Sequence, residues 1–135
     1  MEQKITYKMR KITKKSVYIN KKKLSDNFKI IKKRLGNSKI ISVIKGDAYG
    51  HGMIECFKEL YACGSRDFYV ARLEDAIKIR KTRYKNINIY LLSGTTSKET
   101  CNQLSRHQIF PIINNISQLE TVSYTHLTLP TILLV

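Results

Sequence analysis

Acidic residues are scarce in this chain. Ten Asp and Glu stand against 25 Lys and Arg, which leaves a formal charge of +15 over 135 residues. A surface that basic attracts phosphate backbones or is simply solvated by water. The lysines fall on helix faces and within the first forty residues, with no RNA-binding aromatic motif and no zinc-finger spacing. No specific nucleic-acid partner is therefore expected. Cysteine is also sparse: Cys56, Cys63 and Cys101 are an odd number without metal-ligand spacing. They are expected to be free thiols in a reducing cytoplasm, with no metal site. No segment approaches the ~20 apolar residues that a membrane span needs. Residues 1–15 lack the apolar centre of a secretory leader, so none is expected. No tandem repeat is visible.

What is present begins with an abrupt change at Lys45. Ile40-Ile41-Ser42-Val43-Ile44 is a β-branched run of the kind found in buried parallel strands. It ends on Lys45-Gly46-Asp47-Ala48-Tyr49-Gly50-His51-Gly52. Met53, Phe57, Leu60 and Tyr61 then recur at helical spacing. A strand, a glycine-rich loop and a helix are predicted, with a lysine at the carboxyl end of the strand. Ligands of α/β sheets and barrels bind at that end. A partly desolvated amine there serves as a nucleophile or base. Tyr49, four residues on, offers a neutral hydroxyl suited to a phosphate oxygen. An amine plus a phosphate anchor is what a pyridoxal phosphate site requires. The competing reading is a lysine snorkelling at a strand end, followed by an ordinary turn.

The eight residues resemble the cofactor-attachment motif of alanine racemases, Lys-Ala-(Asn or Asp)-Ala-Tyr-Gly-His-Gly. Seven of the eight positions agree, and Gly46 replaces the usual alanine. The resemblance continues on either side. It takes in Val17–Asn20 with Leu24, Asn27 and the helix to Leu35, then Phe68–Ala76, then Ile89–Gly94. It implies an incomplete (β/α)₈ TIM-type barrel holding about the first half of the barrel strands, since a whole barrel takes ~250 residues. It also implies pyridoxal 5'-phosphate as cofactor, alanine as the amino-acid substrate, a homodimer in the complete protein, and supply of D-alanine to the cell wall. Lys45 would carry the cofactor and act as one of two acid/base groups. Tyr49 would bind the cofactor phosphate, and Leu92 would line the pocket. The second base, a tyrosine of the partner subunit's carboxyl-terminal domain, would lie outside this chain, and the chain alone is expected to be inactive. A serine or broad-specificity racemase of the same barrel type, or a basic non-enzymatic binding fragment, are the alternatives. His51 is expected to be structural, Asp47 to orient the loop, and Gly50 and Gly52 to set the backbone. Arg72 should pair with Glu74 or Asp75, and His107 and His126 should lie on the surface.

Three segments are expected. Residues 1–15 read as a basic, flexible lead-in, residues 16–120 as the partial barrel, and residues 121–135 as an anomalous tail. Ser16–Asn20 should be a strand, with Asn20 capping the next helix. Leu24, Phe28, Ile31 and Leu35 form one helical stripe, and Gly36 should end it. A helix over Met53–Cys63 should stop at Gly64. Strands follow at Asp67–Ala71, Ile87–Leu92 and Ile109–Ile113, with helices near Leu73–Arg80 and after Ser97. Ser117-Gln118-Leu119-Glu120 has capping-box form. This alternation predicts parallel strands with right-handed crossovers. By itself it leaves a doubly wound sheet and a barrel equally open. Thr121–Val135 has no lysine and no acid, is β-branched, and carries Pro130. It resembles translated sequencing-adapter read-through and is expected not to be native.

Overall fold

The computed structural model describes residues 2–6 and 16–124. The chain forms two compact units, one ending at Ser65 and the other beginning at Arg66.

The first unit opens with an antiparallel pair, β1 (Glu2–Thr6) and β2 (Ser16–Asn20), in the register Glu2↔Asn20 to Thr6↔Ser16. Part of the expected flexible lead-in is thus a strand. Lys4 and Ile5 align with Tyr18 and Val17, and paired backbone groups outweigh the polar composition that suggested disorder. Residues 7–15 lie outside the described residues. Asn20 then caps α1 (Lys21–Leu35), its Oδ1 accepting from the Lys23 amide at 3.0 Å. The expected stripe on α1 is buried only at its start. Phe28 is 6% exposed, whereas Ile31 and Leu35 are about half exposed. The cause is the partner's reach: α3 (Met53–Ala62) is ten residues long and is met through the first turns of α1. Lys21 donates to Glu55, and the Ser25 hydroxyl pairs with Glu59. The short strand β3 (Ile41–Val43) and the turn α2 (Lys45–Tyr49) complete this unit.

The second unit alternates strand and helix: β4 (Asp67–Val70), α4 (Leu73–Arg80), β5 (Asn88–Leu91), α5 (Lys98–Arg106), β6 (Ile109–Pro111) and α6 (Ile116–Ser123). The three strands are parallel, with Phe68 beside Ile89 and Ile89 beside Ile109. Strand side chains alternate between faces. Phe68, Val70, Ile89, Leu91 and Ile109 therefore share one face and are essentially inaccessible. Helices α4 and α5 pack on this sheet and supply Ile79 and Leu104 to the core. The opposite face carries Tyr69, Tyr90 and Phe110, half-buried, with Tyr69 edge-on to Tyr90 at 5.1 Å between ring centroids and Tyr90 tilted against Phe110 at 5.7 Å. At its amino end, buried Asp67 accepts from Asn88 Nδ2 at 2.8 Å and Tyr90 Oη at 3.1 Å.

Two helix starts show how side-chain caps set boundaries. Ser97 caps α5, accepting from the Thr100 amide. Helix α6 is capped by Asn115 and not by the Ser117 box, because Asn115 is extended and its Oδ1 accepts from the Gln118 amide at 2.9 Å. Ser117 consequently lies inside the helix. Helix α6 also runs past Glu120 to Ser123, and Val122 is buried with Cys101 and Ile113. Residues 125–135 of the expected tail, with His126 and Pro130, lie outside the described residues.

Two measurements test this packing. Gly94 has φ +59, and an added Cβ would stand 2.6 Å from the Ile112 carbonyl and against the Gln118 side chain. Gly94→Ala should destabilise by roughly 2–6 kcal/mol, the sum of left-handed strain and overpacking, read as a urea midpoint shift. The second concerns Glu55, which Lys21 and Lys58 hydrogen-bond at 2.7 and 2.8 Å. These contacts hold its carboxyl below the ordinary value of 4.5. A depressed carboxyl stabilises the fold above its ordinary value and loses that contribution as pH falls through the depressed one. Urea midpoints should fall as pH drops below 4.5. Glu55→Gln should lower the midpoint near neutrality and flatten the acid decline; an unchanged slope would remove Glu55 as its cause.

Candidate functional site

The site begins where β3 ends. Ser42 is buried and its hydroxyl meets that of Ser65 at 2.8 Å. Ile44 is 2% exposed and anchors the chain just before Lys45. The backbone then reverses its hand. Gly46, Asp47 and Ala48 have φ of 58, 55 and 54 with ψ of 46, 43 and 48, and Tyr49 has φ 55. The Ala48 amide donates to Ile44 O and the Gly50 amide to Gly46 O, both at 3.0 Å. This is one turn of left-handed α-helix. For L-residues such a turn costs roughly 1–2 kcal/mol per residue, so its surroundings must hold it.

Several contacts do so. Asp47 Oδ1 accepts from the Met53 amide at 2.7 Å, the first residue of α3. The Gly52 amide donates to Asp47 O at 2.8 Å. His51 Nδ1 lies 2.8 Å from Ala48 O. A carbonyl only accepts, so Nδ1 carries the proton. Below the loop, Cys56 Sγ donates to His51 O at 3.6 Å. Burial, with the charges of Asp47 and Glu55, pushes the Cys56 thiol up against the opposing pull of Lys21, which keeps that donor protonated. Ala48 is the buried residue of the turn. Gly50 and Gly52 follow at φ 83 and 87.

Lys45 and Tyr49 are the residues this arrangement presents. Both are exposed, Tyr49 by 62%. They stand four positions apart, Lys45 at the start of the turn and Tyr49 at its end. Tyr49 and His51 also border a cavity of about 480 Å³, walled by Tyr18, Leu24, Val43 and Ile44 among others. Lys45 does not line that cavity. The turn thus offers an exposed amine at its start and an exposed phenol at its end, the phenol beside a concave apolar space.

Leu92 lies in the second unit, one residue beyond β5. Its amide donates to Val70 O at 2.9 Å and its carbonyl accepts from Asn114 Nδ2 at 3.0 Å. The side chain is half-buried. A polar network that the sequence did not announce sets this strand end. Gln118 Oε1 accepts from the Asn114 amide at 2.8 Å, while Gln118 Nε2 donates to Ser93 O at 3.0 Å. Its only sequence signal is an amide side chain in the first turn of a helix. Arg72 pairs with Asp75, at 3.1 Å from Nε and 3.3 Å from Nη2. Among the described residues no cluster of His, Cys, Asp or Glu could hold a metal, and no helix is long and apolar enough to cross a membrane.

Residues 19–132 match the family described as "Alanine racemase, N-terminal domain". The alanine racemase of Borreliella burgdorferi is 34% identical over 105 residues, 78% of this chain and 28% of the relative. That of Clostridium kluyveri is 36% identical over 105 residues, covering 78% and 26%. A crystal structure of alanine racemase from Bartonella henselae with covalently bound pyridoxal phosphate superposes with a TM-score of 0.71 at 26% identity, covering 76% of this chain and 29% of that one. The chain spans little more than a quarter of the length of these relatives. The β-α order described above is that of part of their α/β barrel, and the chain belongs to the alanine racemase N-terminal domain family.

Proposed function

We propose that this chain is the cofactor-bearing part of a pyridoxal-phosphate-dependent alanine racemase, with Lys45 as the attachment residue. The left-handed turn, which bears an exposed amine at its start and an exposed phenol at its end, carries this reading. The donor set fits the group: a primary amine for its aldehyde, a neutral hydroxyl for its phosphate, and no competing metal-ligand cluster among the described residues. When bound, the cofactor withdraws electrons from the substrate's α-carbon and makes its proton removable.

The chain's own residues do the rest. Ile44 is locked in the core and fixes the backbone from which Lys45 projects. With the cofactor bound, the Lys45 amine would take or return the proton at the substrate α-carbon. Tyr49 would donate its hydroxyl to a phosphate oxygen. His51 spends its Nδ1 proton on Ala48 O and serves the loop. Inversion at carbon needs a second acid/base group on the opposite face. We assign that group to the larger part of the protein that this chain does not span, supplied across a homodimer. The 135-residue chain alone is therefore inactive. In the complete protein, alanine is interconverted between its two hands in the cytoplasm, feeding D-alanine to the cell wall.

Incubation of the chain with pyridoxal phosphate, reduction with sodium borohydride and peptide mapping test the reading. The label should concentrate on Lys45 and disappear from that peptide in Lys45→Arg, while Tyr49→Phe should weaken cofactor uptake about tenfold, as loss of one hydrogen bond to a charged group predicts. A label scattered over the surface lysines, with none at Lys45, would defeat it. Measurable racemisation by the chain alone would defeat the assignment of the second base.

A further inference from the structure

We propose that Asp47 is a positioning residue for Lys45 and Tyr49, acting through a single acceptor oxygen that ties the left-handed turn to the amino end of α3. The proposal rests on the reading of Lys45 and Tyr49 as cofactor groups. Three observations carry it. Asp47 sits at the centre of the five-residue turn, two residues from Lys45 on one side and two from Tyr49 on the other. Its Oδ1 accepts from the Met53 amide at 2.7 Å, six residues on, and Gly52, the residue before Met53, has no side chain to cap α3. Its carbonyl accepts from the Gly52 amide at 2.8 Å, so both the side chain and the main chain of one residue hold the loop closed. A carboxylate on a helix's first N–H is favoured by the orphan donors and by the helix dipole.

The left-handed turn is intrinsically unfavourable for Asp47, Ala48 and Tyr49. Without the tie, these residues relax toward the right-handed or extended regions. The position of Lys45 relative to Tyr49 would then change while the buried strand and helices stay folded. Asp47 touches neither cofactor nor substrate in this scheme. It fixes the relative position of the two groups that do.

The experiment compares Asp47→Ala and Asp47→Asn with the parent 135-residue chain. Asparagine keeps an acceptor oxygen, and alanine removes it. Amide hydrogen exchange is read at Ala48, Gly50 and Met53, together with buried amides of α1 and α3 as an internal reference. Asp47→Ala should accelerate exchange at the turn about tenfold relative to those references, the effect of losing a helix cap of ordinary strength. Asp47→Asn should stay within about twofold of the parent. In borohydride trapping with pyridoxal phosphate, Asp47→Ala should shift label from Lys45 to other lysines, and Asp47→Asn should restore it. Uniform acceleration over all amides would mark a merely structural role and overturn the proposal. So would unchanged turn exchange, or an asparagine variant that behaves like alanine. If the parent chain fails to label Lys45, the cofactor reading falls by itself, and the exchange data still decide whether Asp47 holds the turn.

Discussion

A left-handed helical turn made mostly of residues with a Cβ is the constraint on which the candidate site depends. Nothing local favours it beyond Gly46, since Asp47, Ala48 and Tyr49 all take φ near +55. At roughly 1–2 kcal/mol per residue, the intrinsic cost exceeds what any one neutral hydrogen bond returns. The turn therefore needs several ties at once. The Asp47 carboxylate on Met53, the His51 ring on Ala48, the Cys56 thiol on His51 and the burial of Ala48 provide them. Each tie comes from a residue of the loop or of the helix it leads into. The loop and the start of α3 thus support one another: Lys45 and Tyr49 are exposed, and Asp47, His51, Met53 and Cys56 hold the backbone between and beyond them.

The second unit supports its strand ends by a different means. Its helix-covered face is packed with Phe68, Val70, Ile89, Leu91 and Ile109, which fixes the strands but not the loops beyond them. The loops are fixed by amides. Gln118 reaches Ser93 O and the Asn114 amide, and Asn114 reaches Leu92 O and Ile112 O. Gly94 completes the arrangement, because any Cβ there would meet the Ile112 carbonyl. Apolar burial is non-directional and sets the layers, whereas hydrogen bonds are directional and set the loop that carries Leu92.

What was legible in the sequence follows the same division. Periodicity announced the strands and helices from β2 onward, the left-handed turn excepted, because apolar burial repeats at 2 or 3.6 residues. It failed on α1, where Ile31 and Leu35 continue the stripe although α3 does not extend beneath them. A stripe states which face is apolar, not how long its partner is. The β1–β2 pairing was hidden because an antiparallel ladder is made by backbone groups that composition does not encode. The α6 cap moved from Ser117 to Asn115 because both residues are good caps and only the backbone conformation chooses between them. Lys45 and Tyr49 were singled out by type and spacing, and both are exposed at the two ends of the turn. The reason for their spacing was not legible, because a change of helical hand leaves no periodic trace over five residues.

The one departure from the family motif also yields to this argument. Gly46 stands where alanine is usual, and an added Cβ at Gly46 would meet nothing within 4 Å. The difference is therefore conformational and not steric. Glycine enters the left-handed region freely, so the first residue after Gly46's neighbour Lys45 accepts φ 58 without strain. The same freedom raises the entropy that the unfolded loop must lose. Glycine at this position lowers the strain of the turn and raises the ordering cost, two effects of similar size and opposite sign. The remaining members of the turn all carry a Cβ, and no such exchange is open to them. The burden of holding the turn thus falls on Asp47 and His51, whichever residue occupies the position between Lys45 and Asp47.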